Sequence, residues 1–539
     1  MNPVLSGLAA NPALPSELVD RLIVVADAET AGVLADRADL SRAQAVALAA
    51  RVPETAVQLA YEGKLTAADI DPVAQPDAAL ALLDEGAGDP EWARHFARAP
   101  VAAHREKLAA CPGLPQDVRE TLAADADVRI VTELALWTTP DTAAGLARHP
   151  HAGVRSAVAA NEATPPDVLA MLITGDGLTP ARRCPVCDTE ETPFTHDPYC
   201  SRPDCDLPRG AACDGTHEST LHEMYGRAID NPATPTAAVI GFADHPSPLL
   251  RLRLAARTDL PPTVYDRLAR DPVPGVRAEL AENPATPEPL IRTLAADRGH
   301  DVQRRLAHHP RVPLDVLADL TRVTRIGPTL LPRIALASSS EVGELAGSPH
   351  PTLRMLLAAR RDLPAGIRDA LAADPDAKVL ASVAPHPGLS EAQLRSLTER
   401  HGVRVIAKVA ANPDASPALL DDLARHRPPV PRALREIGRH PNATASALLA
   451  CLADPRARPR AAAHPALPPP AIVELLSDDD GQVAEAAAAN PSLPPEVMSQ
   501  LLRRLSSNAG YASAPSGVGS PGSTERRPHG KPARPTTHL

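Results

Sequence analysis

Four of the chain's seven cysteines fall within residues 184–205, as Cys184-Pro-Val-Cys187, Cys200 and Cys205. The pattern is C-x2-C-x12-C-x4-C. A Cys-x-x-Cys knuckle turns two thiolates toward one point, and two such short pairs suit the tetrahedral preference of Zn²⁺. A closed site of this kind contributes folding energy to a segment too small for a core of its own. Phe194 and Tyr199 would supply its minimal apolar packing. Cys213 and His217, a C-x3-H pair, are further candidates that can replace a weaker ligand such as Cys205 or form a second partial site.

Other chemistries fit these residues less well. The close C-x2-C-x2-C run of bacterial ferredoxins, which would favour a [4Fe–4S] cluster, is absent. Catalytic zinc needs an open position, usually with His or carboxylate ligands and a nearby base. "HESTLH" at 217–222 looks like the metalloprotease H-E-x-x-H, but His217 and His222 are five apart and do not share a helix face. "GVGSPG" at 517–522 matches G-x-G-x-x-G inside a Ser/Gly/Pro-rich stretch with no strand before it, so it reads as low-complexity tail. Neither G-x-x-x-x-G-K-[ST] nor G-x-S-x-G occurs. Cys111 and Cys451 sit singly at helix positions and read as small core residues. No catalytic residues are assigned.

What must position the cysteines is an unusual chain. Only ten of its 539 residues are Phe, Trp or Tyr, against 61 prolines and a 44% hydrophobic content. A core without aromatic rings must come from Leu, Val, Ile and Ala, which suits closely packed helices. The prolines then punctuate short elements rather than signal disorder. A net charge of −11 argues against general nucleic-acid binding. No basic n-region leads into an apolar run at the start, and no stretch approaches the length of a membrane span, so a cytoplasmic protein is expected. Clustered cysteines in that compartment read as metal ligands before disulfides.

Self-comparison exposes a short period. "AENPATPEPLIRTLA" at 281, "AHHPRVPLDVLADLT" at 307, "AANPDASPALLDDLA" at 410 and "AANPSLPPEVMSQLL" at 488 are one motif. With the Asn or His before the proline as marker, Asn231, Arg257, Asn283 and His309 recur every 26 residues. Arg360, His386, Asn412, His440, His464 and Asn490 continue the series, and Asn11, Asp36, Tyr61, Cys111, Trp137 and Asn161 precede it. The whole comprises about eighteen units, degenerate at 60–110 and 320–350. Prolines stand where helices can begin, since the first turn needs no N–H from them. In "TPEPLIRTLAAD" the apolar residues at spacings of one, three and four make one helical face. The second segment, such as "PGVRAELAEN", is short enough to be α or 3₁₀. Stacked layers bury the stripe that one unit cannot, giving a body on the order of 150 Å or more.

An arginine recurs six residues before the marker, at Arg155, Arg251, Arg277, Arg354 and Arg458. It can bond loop carbonyls or the aspartates of the "DP" turns, or form a guanidinium ladder facing an acidic partner. The histidines at turn positions, His149, His309, His386, His440 and His464, share those positions with Asn and read as loop residues rather than metal ligands.

The "DP…VR…LA.NP.TP..LL..LA" unit resembles the leucine-rich repeat variant family over most of residues 1–165 and 228–502. That resemblance implies short repeats pairing an α-helix with a 3₁₀ helix in a right-handed superhelix, a binding scaffold with no catalytic residues. Family members can carry a cysteine-ligated [4Fe–4S] cluster at the N-terminal end of the repeats, whereas these cysteines interrupt the array. The expected fold is therefore all-α, a right-handed α-solenoid of about 25-residue repeats. N-terminal repeats are expected at 1–177, a Cys-rich zinc-binding insert at 178–226, C-terminal repeats at 227–504 and a disordered tail at 505–539. The expected function is a non-catalytic cytoplasmic scaffold that binds a protein partner, with zinc on Cys184, Cys187, Cys200 and Cys205. A redox- or metal-responsive [4Fe–4S] protein and a nucleic-acid-binding helical-repeat protein are the alternatives.

Overall fold

The computed structural model describes residues 2–188 and 217–511. Among these there is no strand, only an isolated backbone bridge between His151 and Arg183. Short α-helices follow one another in pairs, as Pro262–Leu268 then Pro274–Glu282, and Pro417–Ala424 then Pro431–Ile437. All four begin with proline in the first turn, where its missing N–H costs nothing. Helices of seven to nine residues are marginal alone, so neighbouring layers stabilise them. No helix is long and apolar enough to cross a membrane among the described residues.

The α/3₁₀ pairing implied by the family resemblance is not what forms. Both segments of the unit are α-helical, and among the described residues 3₁₀ helices are confined to Ala67–Asp69, Ile240–Asp244 and Gly402–Arg404. The second segments are rich in Ala, Leu and Arg, strong helix formers, and are long enough to close i→i−4 bonds. In the degenerate stretch 60–110 it is the first segment that shrinks, to Ala67–Asp69. The core is aliphatic, and its few buried rings include Phe96, Phe242 and Tyr265. The repeat resumes at Glu218–Asp230, which stacks on Ala152–Ala160, earlier than the expected insert boundary at 226. The last helix, Pro495–Tyr511, runs past the expected boundary at 504.

Where the marker is Asn or His, it is a buried donor that stitches its layer to the one before. Asn283 Nδ2 donates to the carbonyls of Ala255 and Arg257, both at 2.7 Å, while its Oδ1 accepts from Ala285 N at 2.8 Å. Asn161, Asn231, Asn412 and Asn490 repeat this geometry. His309 does the same work: Nε2 donates to Asn283 O at 2.8 Å and Nδ1 accepts from Arg311 N at 3.0 Å. The requirement for a long-reaching donor corrects the register near the N-terminus. Arg37, not Asp36, bonds the carbonyls of Ala9 and Asn11, and Lys64, not Tyr61, reaches Ala35 O. An ionised carboxylate has no proton to give, and the Tyr61 hydroxyl points instead to Asp84. Trp137 is largely exposed, its ring N–H bonded to Glu133, and is no rung either.

Burial pushes His309, His386 and His464 below the ordinary histidine range. Protonation would remove the Nδ1 acceptor that His309 and His464 offer to backbone N–H groups. A depressed folded-state pKa means that this stabilisation is complete above about pH 6.5 and is lost as pH falls through the lower, folded-state value. His309→Asn is therefore expected to stay within about 0.5 kcal/mol of the parent, because asparagine offers the same donor and acceptor, whereas His309→Leu should cost about 1–3 kcal/mol. Hydrogen exchange over 283–312 at pH 7.5 and 5.5 checks both statements, since His309→Asn should also flatten the local acid sensitivity.

The recurring arginine is consumed inside the array. Arg251, Arg277 and Arg354 each make paired bonds at 2.6 and 3.1 Å to Asp271, Asp297 and Asp374, twenty residues on. Their remaining nitrogens bond carbonyls of their own turns, His245 O, Asp271 O and Ser348 O. Each aspartate also accepts a backbone N–H two residues later, opening the next helix. A guanidinium ladder free to meet an acidic partner therefore does not exist at these positions.

The array closes on itself. Helix Pro3–Ala10 packs on helix Gly481–Ala488, and Ser16–Val25 on Pro495–Tyr511. Asn11 Nδ2 donates to Ala488 O at 2.9 Å and Asn490 O at 2.8 Å, the rung seen throughout the ladder. The first layer thus follows the last as any layer follows its predecessor, and the extended body expected from stacking gives way to a ring. A small rotation per layer accumulates to a full turn, which no single unit reveals. The second-segment helices pack on one another more extensively than the first-segment helices do, as the inner row of a closed ring must. Gly7 permits the join: a Cβ there would lie 2.7 Å from Ala488 Cβ and closer still to the Glu485 carbonyl oxygen.

Candidate metal centre

After helix Pro166–Thr174 the chain leaves the repeat through Gly175 and Gly177, both with positive φ. It returns to the preceding layer by backbone pairing, with Arg182 N donating to Pro150 O and Ala152 N to Arg183 O, each at 2.8 Å. This pairing delivers Cys184 to the N-terminus of helix Ala152–Ala160. Arg155 on that helix has no aspartate twenty residues on, where Gly175 stands; it bonds His149 O at 2.7 Å and Thr179 O at 2.9 Å. The insert thus supplies a carbonyl where a regular layer supplies a carboxylate.

Cys184 and Cys187 form a tight knuckle. The Cys184 backbone N–H donates to Cys187 Sγ at 3.0 Å, and the two sulfurs are 3.6 Å apart. That is far longer than a disulfide of about 2.05 Å. It is close to the edge of about 3.8 Å expected of two sulfurs on one tetrahedral zinc with bonds of about 2.3 Å. His217 Nδ1 lies 3.9 Å from Cys187 Sγ, and one ligand atom from each of Cys184, Cys187 and His217 falls within 4.8 Å of the others. Cys184 and His217 are buried.

His217 is held in a left-handed conformation, φ 59° and ψ 23°, as the residue preceding helix Glu218–Asp230. Among the described residues it is the only non-glycine with positive φ. Such strain persists where surroundings impose it and clusters at functional sites. Asp188, next to the knuckle, is clamped between Arg183 Nε at 2.9 Å and His151 Nε2 at 2.8 Å. His151 Nδ1 accepts the Gly153 N–H, so the proton given to Asp188 sits on Nε2. Burial pushes the Asp188 carboxyl up, but Arg183 and His151 more than offset this and hold it below its ordinary value.

Of the residues singled out by sequence, the structure brings together Cys184, Cys187 and His217; Cys200, Cys205 and Cys213 lie outside the described residues. His217 moves from supplementary candidate to the centre of the group. Its sequence signal is its place four residues after Cys213, immediately before a helical run. His151 and Asp188, which fix the knuckle to the repeats, had no sequence signal beyond proximity. His222 Nε2 lies 2.8 Å from Ser247 Oγ. Cys111 and Cys451 are buried, and burial pushes both thiols up to about 12, so they stay protonated and inert.

Fold and site together define a helical-repeat ring bearing a docked Cys/His knuckle. No family model matches this sequence, and no curated protein matches it. Among solved structures the chain is similar to an engineered protein from the Northeast Structural Genomics Consortium, at 13% identity over 80% of this chain and 98% of that one, with a TM-score of 0.15.

Proposed function

We propose that this protein is a non-catalytic, cytoplasmic helical-repeat scaffold that binds another protein, and that its insert carries a structural zinc ion. The observation that supports the zinc is the convergence of Cys184 Sγ, Cys187 Sγ and a His217 ring nitrogen on one point. Mixed sulfur and nitrogen donors are characteristic of structural zinc, whereas [4Fe–4S] clusters are held by four thiolates. The fourth ligand comes from Cys200, Cys205 or Cys213. Bound zinc would lock the knuckle to His217 and so brace the layers on either side of the insert. The scaffold reading is supported by the repeats themselves, whose arginines, aspartates, asparagines and histidines are committed to internal bonds. With the arginine ladder consumed and a net charge of −11, a protein partner is favoured over nucleic acid.

The test combines elemental analysis of protein purified without oxygen with affinity capture from its native cytosol. One equivalent of zinc and a stoichiometric protein partner support the reading. A brown protein containing iron overturns the zinc assignment, and nuclease-sensitive capture overturns the protein partner.

A further inference from the structure

The richest unexplained chemistry lies far from the cysteines. A cavity of about 770 Å³ opens between the segment 325–330 and three successive second-segment helices. Met355 comes from helix Pro351–Leu357, Lys378 and Ser382 from Ala377–Val383, and Lys408 from Ile406–Ala410. Four cations line it, Arg325, Arg361, Lys378 and Lys408, and no carboxylate does. None of the four makes an ion pair among the described residues, whereas the second-segment arginines Arg251, Arg277 and Arg354 do. Of the acids nearest these cations in sequence, Asp362 pairs with Arg360 at 2.6 Å and Asp376 accepts the Lys378 backbone N–H at 2.7 Å.

A second, independent feature points the same way. The Ser382 hydroxyl, on a residue 8% exposed, is buried without a hydrogen-bond partner and belongs to the wall of this cavity. Buried hydroxyls are nearly always satisfied, and an orphan costs the desolvation of the group. Four like charges around one cavity also repel, a cost relieved when an anion sits between them.

We infer that this cavity binds a small polyphosphorylated molecule, with Arg325, Arg361, Lys378 and Lys408 neutralising two or more phosphates and Ser382 Oγ donating to a phosphate oxygen. The volume suits a ligand of nucleotide size. No aromatic ring lines the cavity, so recognition falls on the phosphates rather than on a stacked base. This site is independent of the zinc reading.

Isothermal titration of the full chain at physiological ionic strength tests it, using inorganic tripolyphosphate, ATP, orthophosphate and a poly-glutamate peptide. Tripolyphosphate and ATP should bind with similar affinity, at least tenfold tighter than orthophosphate, and weaken as salt rises. The double variant Arg361→Ala/Lys378→Ala should lose at least tenfold. Both residues are exposed, so circular dichroism should be unchanged. Ser382→Ala, a smaller change that removes only the hydroxyl, should lose several-fold. Absence of tripolyphosphate binding, equal binding by the double variant, or tighter binding of poly-glutamate than of tripolyphosphate would each overturn the inference.

Discussion

Gly7→Val opens the ring. A valine Cβ at this position meets the backbone of Glu485 and the side chain of Ala488, neither of which is a flexible tip that can swing aside. Overpacking of this kind costs about 1–3 kcal/mol before any bond is lost. Helix Pro3–Ala10 must then lift from Gly481–Ala488, breaking the Asn11 bonds to Ala488 O and Asn490 O, all at buried residues. Stranding those groups adds about 1–3 kcal/mol for each that water does not reach. X-ray scattering should show a larger maximum dimension, and hydrogen exchange should rise at 3–11 and 481–490. Gly145→Ala is the control, because a Cβ there meets nothing within 4 Å. Unchanged scattering and protection in Gly7→Val would mean that the join does not depend on this contact.

The second large effect is at the knuckle. If the knuckle holds the zinc proposed above, Cys184→Ser and His217→Ala should each reduce it from one equivalent per chain to near zero, because removing one ligand breaks the closed tetrahedral set. Structural zinc sites hold their metal with about 10–16 kcal/mol of binding free energy, so losing the ion unfolds what it braces. Exchange should quicken at 150–152 and 217–231, where the insert meets the repeats, and stay unchanged beyond 355. Cys111→Ser should keep its zinc. Retention of metal in His217→Ala together with its loss in both Cys200→Ser and Cys205→Ser would restore the all-cysteine set and remove His217 from the site.

Much of this architecture was legible in the chain. The 26-residue spacing of Asn231, Arg257, Asn283 and His309 marks the layers, and prolines such as Pro262 and Pro274 mark where helices start. The pairing of Arg277 with Asp297 follows from two recurrent residues of opposite charge in adjacent layers. What escaped was whatever depends on geometry summed over many layers or on a donor's reach. Ring closure is carried by Gly7 and Asn11, which look ordinary in their own unit. Arg37 and Lys64 fill the marker's role from one and three residues beyond the expected positions, because a long side chain can span what asparagine must touch directly. His217 carries little weight in the sequence because the Cys-x-x-Cys spacing is the stronger ligand signal, while its strained backbone shows only in three dimensions.

Closure changes what kind of quantity the repeat number is. An open solenoid can gain or lose a unit at little cost, since its ends are free to sit anywhere, and its terminal layers fray first because each has one neighbour. Here the Asn11 rung gives the first and last layers two neighbours apiece. Deleting a single unit would leave a gap one layer wide that no local adjustment fills, so the unit count behaves as an integer fixed by the circumference. Chain order, by contrast, becomes incidental: a permutant starting at the Asp297 turn, with a linker joining Leu502 to Pro3, would meet the same neighbours at every layer.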